Sequence, residues 1–465
     1  MNMLELTREE LLKNIRSGTL IIAVYGLGYV GLSLAAVWLR AGAKVIGVDV
    51  NSQKVRLLNK GIVGSVEKAV NEAIKIGIRK SMFKAVEDGV EAARESHVKL
   101  ITIPVWLNEN KQPVLDAIES VSKTIAYGLK RGDLIILESS VPVGTTEEVV
   151  KPILEKISGL SAELDFGLAY SPERIYIGRA VEDIERNYPK IISGIGPKSL
   201  RAASNLYSLV AKKGVIELPS IKHAEIEKLF EGVYRDVNIA LANQLALLCK
   251  ELGLDYDQVR RAANSQPFCH LHKPGAGVGG ACIPLYSYFI QHLANKINLN
   301  LSLVEESRKI NENMPHIVVD IIEEALKTLE TEKVKIAILG LAFRGGIDDT
   351  RLSPSYEIIK MLKNRGFKLL VVHDPYVAKD DFLEQNNIKL TNDLAEAIEY
   401  SNVVAIVTDH PEYKSLTLTQ LKNMSKREKL AIIDARHVIR DWRKVPKGVL
   451  YAGIGRPLIY NLNSE

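Results

Sequence analysis

The chain has 465 residues, and a chain of this length is expected to fold as two or three domains. Hydrophobic residues make up 46% and charged residues 25%, which is typical of a soluble globular protein with apolar cores. The net charge of +5 is small and spread evenly, which excludes the usual nucleic-acid-binding pattern and is compatible with small anionic ligands. Three cysteines without CxxC spacing indicate neither a disulfide framework nor a zinc site, so we expect no metal and a reducing cytoplasm.

The longest apolar run, residues 20–39, is long enough to span a membrane. The run changes from a β-branched strand pattern to a glycine turn and then to a helix pattern, so we expect no membrane segment. Residues 1–18 mix acidic and basic side chains without a cleavage-site pattern. They predict an amphipathic helix instead of a signal peptide.

A dinucleotide-binding pattern opens the chain. Gly26, Gly28 and Gly31 occupy the glycine positions of GxGxxG, between an apolar strand and a helix, and the next strand ends in Asp49. The glycines permit a tight turn that places a pyrophosphate at the helix N-terminus, and the acid can hold both ribose hydroxyls, which favours NAD over NADP. A glycine-rich turn without a ligand is the alternative. The predicted elements are a strand at 20–25, a helix at 32–41 and a strand at 44–48.

Three further predicted strands end in polar or turn-forming residues. The strand over 97–103 ends at Pro104, the strand over 133–137 runs into ESSVPVGTT, which contains Ser140, and the strand over 166–170 leads to Glu173 and Arg174. Cofactors bind at the carboxyl ends of such strands. The alternatives are ordinary helix caps for the hydroxyl residues and a surface ion pair for Glu173 and Arg174. Predicted helices at 115–129 and 147–157 alternate with these strands.

Apolar residues at three- and four-residue steps predict one long helix over 221–252, closed by Gly253. Lys228, Gly232 and Arg235 share one face of it. A solvated stripe is the alternative, but a glycine in mid-helix costs about 1 kcal/mol relative to alanine and suggests close approach of a ligand or partner. A helix over 256–264 follows, and further helices are predicted from about 285 to 329, interrupted near Pro315.

Residues 273–284, KPGAGVGGACIP, form the loop around which the chain is organised, and we call it the cysteine loop. Gly275, Gly277, Gly279 and Gly280 let the backbone turn tightly and approach a bulky ligand. Cys282 lies beside exposed N–H groups that stabilise a thiolate or an oxyanion, so it is a candidate nucleophile. A buried cysteine next to a flexible loop is the alternative.

A second α/β unit follows without GxGxxG, so no second dinucleotide site is predicted. Its predicted strands cover 334–339, 368–373, 403–407 and 430–433, with a helix at 355–364. Arg344 and Arg351 lie at the strand-to-helix opening, where phosphates bind. The predicted fold class is α/β, with two Rossmann-like doubly wound domains joined by a long-helix central domain. An NAD enzyme needs a nucleophilic cysteine when an aldehyde must become an acid.

These motifs resemble the nucleotide-sugar 6-dehydrogenases, the family of UDP-glucose, GDP-mannose and UDP-N-acetylhexosamine dehydrogenases. The matching stretches cover nearly the whole chain: GLGYVGL, VDVN, ESSVPVGTT, YSPERI, EKLFEGVYRDVNIALANQLA, GVGGACIP, LGLAFR, DDTRLSPS, HDPYV and DAR. YRDVNIALAN and the VGG-x-CIP loop are most similar to the UDP-N-acetylhexosamine branch. The resemblance implies oxidation of C6 by four electrons, with NAD as the acceptor, to give a UDP-uronic acid.

The resemblance also implies roles for single residues. Cys282 would be the nucleophile, Lys228 would hold the oxyanions, and Glu173 would assist proton transfer or water activation. The cofactor-binding residues would be Gly26, Gly28, Tyr29, Val30, Gly31, Asp49, Lys54, Pro104, Ser140 and Arg351. The substrate-binding residues would be Arg174, Arg235, Gly277, Gly279, Phe343, Arg344 and Arg436. In this family the arginine at position 351 often reaches across a subunit boundary, and the long helix would form the core of a homodimer.

The implied domains are an NAD-binding domain at 1–218, a central dimerisation domain at 219–330 and a UDP-sugar-binding domain at 331–465. Gly232 replaces the usual Asn, Tyr286 the usual Asp, and Ala281 the usual Ser or His. Gln266 and Phe268 replace a His and an Arg of the UDP-N-acetylmannosamine pattern. These departures concern thioester hydrolysis and the identity of the sugar. A UDP-glucose or GDP-mannose dehydrogenase, and a sugar-nucleotide-binding protein without turnover, remain alternatives.

Overall fold

A computed structural model describes residues 1–330 and 334–461. It contains two compact units. The first unit is Met1–Glu231 with Tyr288–Asn298, and the second is Gly232–Ser287 with the described residues from Leu299 onward. The predicted C-terminal domain begins at residue 331 and ends at residue 465, and both of these positions lie outside the described residues.

The first unit is built on a predominantly parallel sheet. Its strands are β1 (Ile21–Tyr25), β2 (Lys44–Val48), β3 (Phe83–Val86), β4 (Val98–Ile101), β5 (Trp106–Leu107), β6 (Pro113–Val114), β7 (Leu134–Leu137), β8 (Gly167–Tyr170), β9 (Lys190–Gly194) and β10 (Val215–Glu217). Strands β5 and β6 form a small antiparallel hairpin, and the others form one sheet in the order β10-β9-β8-β7-β4-β1-β2-β3. Only β8 and β9 pair antiparallel in that sheet of the described chain. Since β1 lies between β2 and β4, the chain reverses direction across the sheet there, and ligands bind at such a point.

Helices cover this sheet, and local sequence signals account for where they form. They are α1 (Arg8–Arg16), α2 (Tyr29–Ala41), α3 (Ser52–Asn59), α4 (Lys68–Arg79), α5 (Gly89–Glu95), α6 (Asp116–Gly128), α7 (Lys151–Ser158), α8 (Ala180–Glu182) and α9 (Pro197–Tyr207). A capping box between Thr7 and Glu10 begins α1, where the sequence predicts an amphipathic helix. The apolar α2 is buried along most of its length in the core of this unit. A π-helical turn, Thr146–Val150, and α7 occupy the predicted helix over 147–157.

Four helices lie between the two sheets in the sequence: α10 (Ile221–Glu251), α11 (Tyr256–Ala263), α12 (Ile283–Lys296) and α13 (Ser302–Leu329). The long α10 is confirmed to within one residue, and Gly253 after it has a φ of +69°. The predicted interruption near Pro315 is wrong, because α13 runs through it. Pro315 removes one N–H donor, and the buried Met314 and Val318 beside it hold the helix in place. Within residues 1–330 and 334–461, every helix is too short or too polar to cross a membrane.

The second unit repeats the doubly wound arrangement. Its strands are β11 (Lys335–Leu339), β12 (Leu369–His373), β13 (Lys389–Thr391), β14 (Val403–Ile406), β15 (Leu430–Asp434), β16 (Val449–Gly453) and β17 (Arg456–Tyr460). Its later helices are α14 (Pro354–Asn364), α15 (Asp381–Gln385), α16 (Leu394–Ile398) and α17 (Leu418–Ser425). The strand order is β13-β12-β11-β14-β15-β16-β17, and β11 lies between β12 and β14, which creates a second point of reversal. The predicted α/β class with two doubly wound sheets is confirmed.

Candidate active site

The glycine turn after β1 is shaped for close contacts on one side and open space on the other. Gly26 has a φ of +95°, which favours glycine. A Cβ at Gly31 would lie 1.8 Å from the Gly26 carbonyl oxygen, whereas a Cβ at Gly28 would meet no atom within 4 Å. The Thr102 hydroxyl at the end of β4 donates to the carbonyls of Tyr25 at 2.9 Å and Gly26 at 2.7 Å. The hydrogen bonds from Thr102 therefore hold one side of the turn. The open space at Gly28 leaves room for an anionic ligand at the N-terminus of α2.

Asp49 is tied into this turn. Its Oδ2 accepts hydrogen bonds from the Leu27 amide at 3.0 Å and from Lys54 Nζ at 2.8 Å, and its Oδ1 accepts one from the Asn51 amide at 2.9 Å. Burial raises the pKa of Asp49, but these donors outweigh burial and hold the pKa below its usual value. The bare turn and an ionised carboxylate beside it fit the pyrophosphate and ribose of NAD.

Four more predicted cofactor residues lie in the first unit, near the carboxyl ends of its strands. The Tyr29 hydroxyl accepts a hydrogen bond from the Gly178 amide at 2.6 Å. Val30 is half-buried and packs against the core of the unit. Pro104 follows β4 and Ser140 follows β7, and the carboxyl ends of both strands lie in register. Whether these side chains contact the cofactor remains a prediction.

A buried ion cluster holds Glu173, and we call it the Lys190 cluster. Lys190 Nζ, on β9, lies 2.7 Å from Glu173 Oε2 and 2.8 Å from Glu138 Oε2, and the three side chains are 4%, 4% and 0% exposed. Glu138 also accepts a hydrogen bond from the Tyr207 hydroxyl, and Glu173 Oε1 accepts one from the Arg174 amide at 2.9 Å. Burial raises the pKa of Glu138 to about 7 against the pull of Lys190. The two carboxylates keep the pKa of Lys190 above its usual value despite burial. Glu173 is thus a carboxylate with a fixed position.

Sequence reasoning missed the other members of this cluster. Glu138 opens the ESSVPVGTT motif, which pointed to the region but not to a role for the acid. Lys190 lies on β9, which the sequence did not predict as a strand, and no motif contains it. Its two carboxylate partners are 52 and 17 residues away in sequence, so only the sheet order brings them together.

Two predicted cations of the first unit share one carboxylate on α10. Arg174 Nη1 lies 3.1 Å from Glu231 and 3.7 Å from Glu227, while Lys228 Nζ lies 3.5 Å from Glu231. Burial, followed by the charge of Glu231, raises the pKa of Glu227 to about 7. The Lys228 side chain is 11% exposed. Both cations are therefore positioned by α10, and their roles in substrate binding and catalysis remain predictions.

Cys282 directly precedes α12. Its carbonyl accepts hydrogen bonds from the amides of Leu285 at 3.0 Å and Tyr286 at 3.1 Å, so Cys282 occupies the N-terminal cap position. The thiol is exposed, whereas Cys249 is buried. The partial positive charge of a helix N-terminus stabilises negative charge on such a sulfur. The arrangement therefore suits a nucleophile, as the sequence predicts.

The cysteine loop lies directly on the second α/β unit. A Cβ at Gly275 would lie 2.5 Å from Arg436 Nη1, and one at Gly279 would lie 2.7 Å from Phe343 Cβ. Gly280 has a φ of +87°, and its Cβ would lie 2.9 Å from the Phe343 ring. Larger residues would push the loop away from these side chains. The structure therefore brings the predicted residues Gly279 and Phe343 together and places Arg436 against Gly275 of the same loop. Gly277 faces Pro354, where its Cβ would lie 3.0 Å from Pro354 Cγ.

Arg351 supports the same loop. Its carbonyl accepts a hydrogen bond from the Gly280 amide at 2.9 Å, and its guanidinium Nε donates to Asp349 Oδ1 at 2.8 Å. The hydrogen bonds to Asp349 raise the pKa of Arg351, and the nearby charge of Cys282 adds to the effect. A contact between Arg351 and the cofactor remains a prediction.

The turn after β11 repeats the construction of the dinucleotide turn. Asp374 Oδ2 accepts hydrogen bonds from the amides of Leu341 at 2.8 Å and Ala342 at 2.9 Å, as Asp49 does from one amide. Burial raises the pKa of Asp374, but the bond from His410 and the two amides hold it below its usual value. The motif HDPYV contains Asp374, but no role was predicted for this acid. Asp49 follows β2 as Asp374 follows β12, and this similarity could have indicated that Asp374 holds the turn after β11.

The two remaining predicted substrate arginines are Arg344 and Arg235. Arg344 is half-buried in the turn after β11. Arg235 is exposed on α10, and its charge adds to burial in lowering the pKa of His272. In the described part of the chain, no three histidine, cysteine or acidic side chains are grouped so that they could hold a metal ion.

Comparison with known proteins assigns these features to one family. Residues 20–211 match the NAD binding domain of the UDP-glucose/GDP-mannose dehydrogenase family, residues 222–313 its central domain, and residues 337–441 its UDP binding domain. The chain is 36% identical over 438 residues to UDP-N-acetyl-D-mannosamine dehydrogenase of Pyrococcus horikoshii, covering 94% of this chain and 99% of the relative. It is 33% identical over 408 residues to NDP-N-acetyl-D-galactosaminuronic acid dehydrogenase of Ralstonia nicotianae, covering 86% and 93%.

A solved structure agrees with this assignment. The structure of a UDP-D-ManNAc dehydrogenase from Pyrococcus horikoshii has a TM-score of 0.85 and 33% identity, and the match covers 94% of this chain and 99% of that one. The resemblance drawn from the sequence motifs is confirmed, and NAD is the cofactor. The chain belongs to the UDP-glucose/GDP-mannose dehydrogenase family and is an NAD-dependent nucleotide-sugar dehydrogenase.

Proposed function

We propose that the protein oxidises C6 of a UDP-N-acetylhexosamine, UDP-ManNAc or UDP-GlcNAc, to the UDP-uronic acid. The observation that carries the proposal is the exposed Cys282 thiol at the N-terminus of α12, in a bare loop that lies against Phe343 and Arg436. The match to a UDP binding domain supports a UDP-sugar as the substrate class. The relatives named for N-acetylated sugars support the N-acetylhexosamine.

The chemistry assigns a task to each of three side chains. Two molecules of NAD, bound one after the other, would accept the two hydrides that leave C6. The Cys282 sulfur bonds to the aldehyde carbon, carries it as a thioester after the second oxidation, and is released when water cleaves that bond. Lys228 supplies a cation for the oxygen anions formed at C6. Glu173, held by Lys190 in a fixed position, takes a proton from the reacting hydroxyl or water.

We assign the remaining predicted residues to binding. Phe343, Arg344 and Arg436 hold the UDP part, and the backbone of the cysteine loop contacts the sugar. Arg174 and Arg235 also contact the substrate. The turn around Gly26–Gly31, with Asp49, Lys54, Pro104 and Ser140, holds NAD together with Arg351. The domains have the bounds 1–218, 219–330 and 331–465.

We further propose that the protein is a homodimer formed through α10. Five large apolar side chains lie along one face of this helix and its end, and all are between 43% and 62% exposed: Phe230, Tyr234, Leu241, Leu248 and Leu252. Their steps of four and seven residues keep them on one stripe. An exposed stripe of this kind is typical of a helix–helix interface. Leu241→Arg is expected to shift the protein from dimer to monomer in sedimentation velocity, whereas an unchanged dimer would contradict the proposal.

A substrate panel tests the activity. The protein is mixed with NAD and UDP-ManNAc, UDP-GlcNAc, UDP-glucose or GDP-mannose, and NADH absorbance is followed. We expect two NADH per sugar with a UDP-N-acetylhexosamine and no acid from Cys282→Ala. Cys269→Ala, at a partly buried thiol, is the matched control and is expected to turn over normally.

Three outcomes would contradict the proposal. Activity confined to UDP-glucose or GDP-mannose would show a different member of the family. Tight binding of UDP-sugars without NADH would favour a binding protein, an alternative motivated by Gly232 and Tyr286. Normal turnover by Cys282→Ala would exclude the covalent mechanism.

A further inference from the structure

Gly232 and Tyr286 compete for the same space. A Cβ built on Gly232 would lie 2.3 Å from Tyr286 Cδ2 and 3.1 Å from both Cβ and Cγ of that residue. Carbon atoms that are not bonded to each other do not approach to 2.3 Å, since their attraction is greatest near 3.5–4.0 Å. Tyr286 is buried, and its ring fills the volume that any side chain at position 232 would need. Glycine is therefore required in mid-helix for as long as tyrosine occupies position 286.

Rotation of the tyrosine side chain does not remove this conflict. Turning χ1 or χ2 moves Cδ2, but Tyr286 Cβ is fixed by the backbone of α12 and would still be only 3.1 Å away. A side chain at Gly232 would therefore still require the first turn of α12 to move by a few tenths of an ångström. That turn begins at Cys282, whose carbonyl accepts the Tyr286 amide at 3.1 Å. Displacement of Tyr286 is thus transmitted to the thiol residue through one helical turn.

The next turn of α10 fixes the same two helices together. Asp236 Oδ2 accepts a hydrogen bond from the Ser287 hydroxyl at 2.7 Å, and both side chains are buried. Asp236 is held in turn by Arg308 at 3.1 Å and by the Asn311 amide at 2.7 Å. This bond joins α10 and α12 one turn after Gly232 and one residue after Tyr286, so the Tyr286 ring packs against Gly232 between helices that are already held together.

We propose that Gly232 and Tyr286 are a coupled pair of positioning residues that sets the location of the Cys282 thiol. Gly232 acts by lacking a side chain, and Tyr286 acts by packing its ring against the bare turn of α10. The inference rests on the proposed function only in treating Cys282 as the nucleophile. The inference also explains why the two departures from the family pattern, Gly232 and Tyr286, occur together. A side chain at position 232 and a tyrosine at position 286 exclude each other.

The test is a cycle of Gly232→Ala, Tyr286→Ala and the double variant, with the rate of Cys282 alkylation by iodoacetamide as the readout. Peptide mass spectrometry reports Cys282 and Cys269 in the same sample, so Cys269 is an internal reference. Gly232→Ala is expected to slow Cys282 alkylation roughly fivefold or more, because displacing Tyr286 distorts the hydrogen bond between its amide and the Cys282 carbonyl, which holds the thiol residue in the cap of α12. Alanine favours helices over glycine, so intrinsic propensity predicts no harm from this change.

The double variant decides whether the two residues are coupled. Removing the ring removes the clash, so the double variant is expected to alkylate within about twofold of Tyr286→Ala alone. Tyr286→Phe keeps the ring against Gly232 and is expected to slow alkylation less than Tyr286→Ala does. If Gly232→Ala does not fold, this difference between Tyr286→Ala and Tyr286→Phe carries the test.

Two results would overturn the inference. One is a parental alkylation rate in both Gly232→Ala and Tyr286→Ala. The other is a double variant whose rate equals the product of the two single effects, as expected for independent residues. Since alkylation needs no sugar nucleotide, an altered rate without turnover on any substrate would refute the proposed function and leave the pair standing. Parental alkylation rates in both single variants, together with normal sugar oxidation by the parent, would refute the pair alone.

Discussion

Replacing Lys190 with methionine would test the buried cluster that holds Glu173. The change removes one cation that lies 2.7 and 2.8 Å from two carboxylates, in a site where all three side chains are at most 4% exposed. Removing one partner of a buried ion pair costs about 3–5 kcal/mol, because the remaining charge is left unpaired. Here two carboxylates would remain. We expect Lys190→Met to lower the free energy of unfolding by about that amount at pH 8.

The loss should depend on pH in a defined direction. Burial already raises the pKa of Glu138 to about 7 with lysine present, and removal of the cation raises it further. At pH 6 the variant can therefore hold a proton on Glu138, which removes the repulsion with Glu173. We expect the destabilisation to be smaller at pH 6 than at pH 8.

Urea unfolding followed by tryptophan fluorescence measures this difference. The Trp38 ring lies 5.6 Å from the ring of Tyr207, which bonds to Glu138, so it reports on the same region. Lys190→Arg keeps the charge and is the control, while Glu138→Gln in the Lys190→Met background should restore much of the stability at pH 8. A loss in Lys190→Met that is equal at both pH values, or that Glu138→Gln does not relieve, would refute this account of the cluster.

Three further predictions concern the first unit. Gly31→Ala places a methyl group 1.8 Å from the Gly26 carbonyl oxygen, so we expect NAD affinity, measured by calorimetry, to fall about 100-fold, and an unchanged affinity would contradict the model of the turn. Asp49→Ala removes the acceptor of the Leu27 amide and is expected to weaken NAD binding about tenfold; equal loss for NADP would argue against a ribose contact. Burial raises the pKa of Glu225 from 4.5 to about 7, so the folded state binds more protons there than the unfolded state between those values. Its contribution to stability is therefore greatest below pH 4.5 and is lost as the pH rises through 7, and Glu225→Gln should flatten that part of the stability profile in urea titrations at stepped pH.

Local patterns predicted the elements that local interactions specify. The three glycines and Asp49 predicted the first βαβ unit, because tight turns and buried strands have characteristic residues at fixed spacing. The apolar periodicity of α10 gave both of its ends to within one residue, since seven or more turns of one period leave little ambiguity. Cys282 was predicted as a nucleophile from its bare loop, and the structure adds that its carbonyl caps α12.

Long-range contacts were beyond sequence reasoning. Lys190 meets Glu138 and Glu173 because β7, β8 and β9 are neighbours in the sheet, and no local pattern encodes that adjacency. The prediction at Pro315 failed for a related reason. A proline weakens its own helix, and only the packing of the residues around it, which the sequence does not display, restores it.

The same turn serves two purposes in the two sheets. In each, an acid after the second strand accepts amides from the turn after the first strand, Asp49 in one and Asp374 in the other. Above Gly28 the first turn is open, which suits a dinucleotide. Above Phe343 the second turn is covered by the cysteine loop, whose Gly279 and Gly280 approach too closely for any side chain. The second sheet therefore supports the cysteine loop as well as a nucleotide. We expect a substitution of Asp374 to change activity by moving the cysteine loop. We expect a substitution of Asp49 to change activity by weakening NAD binding.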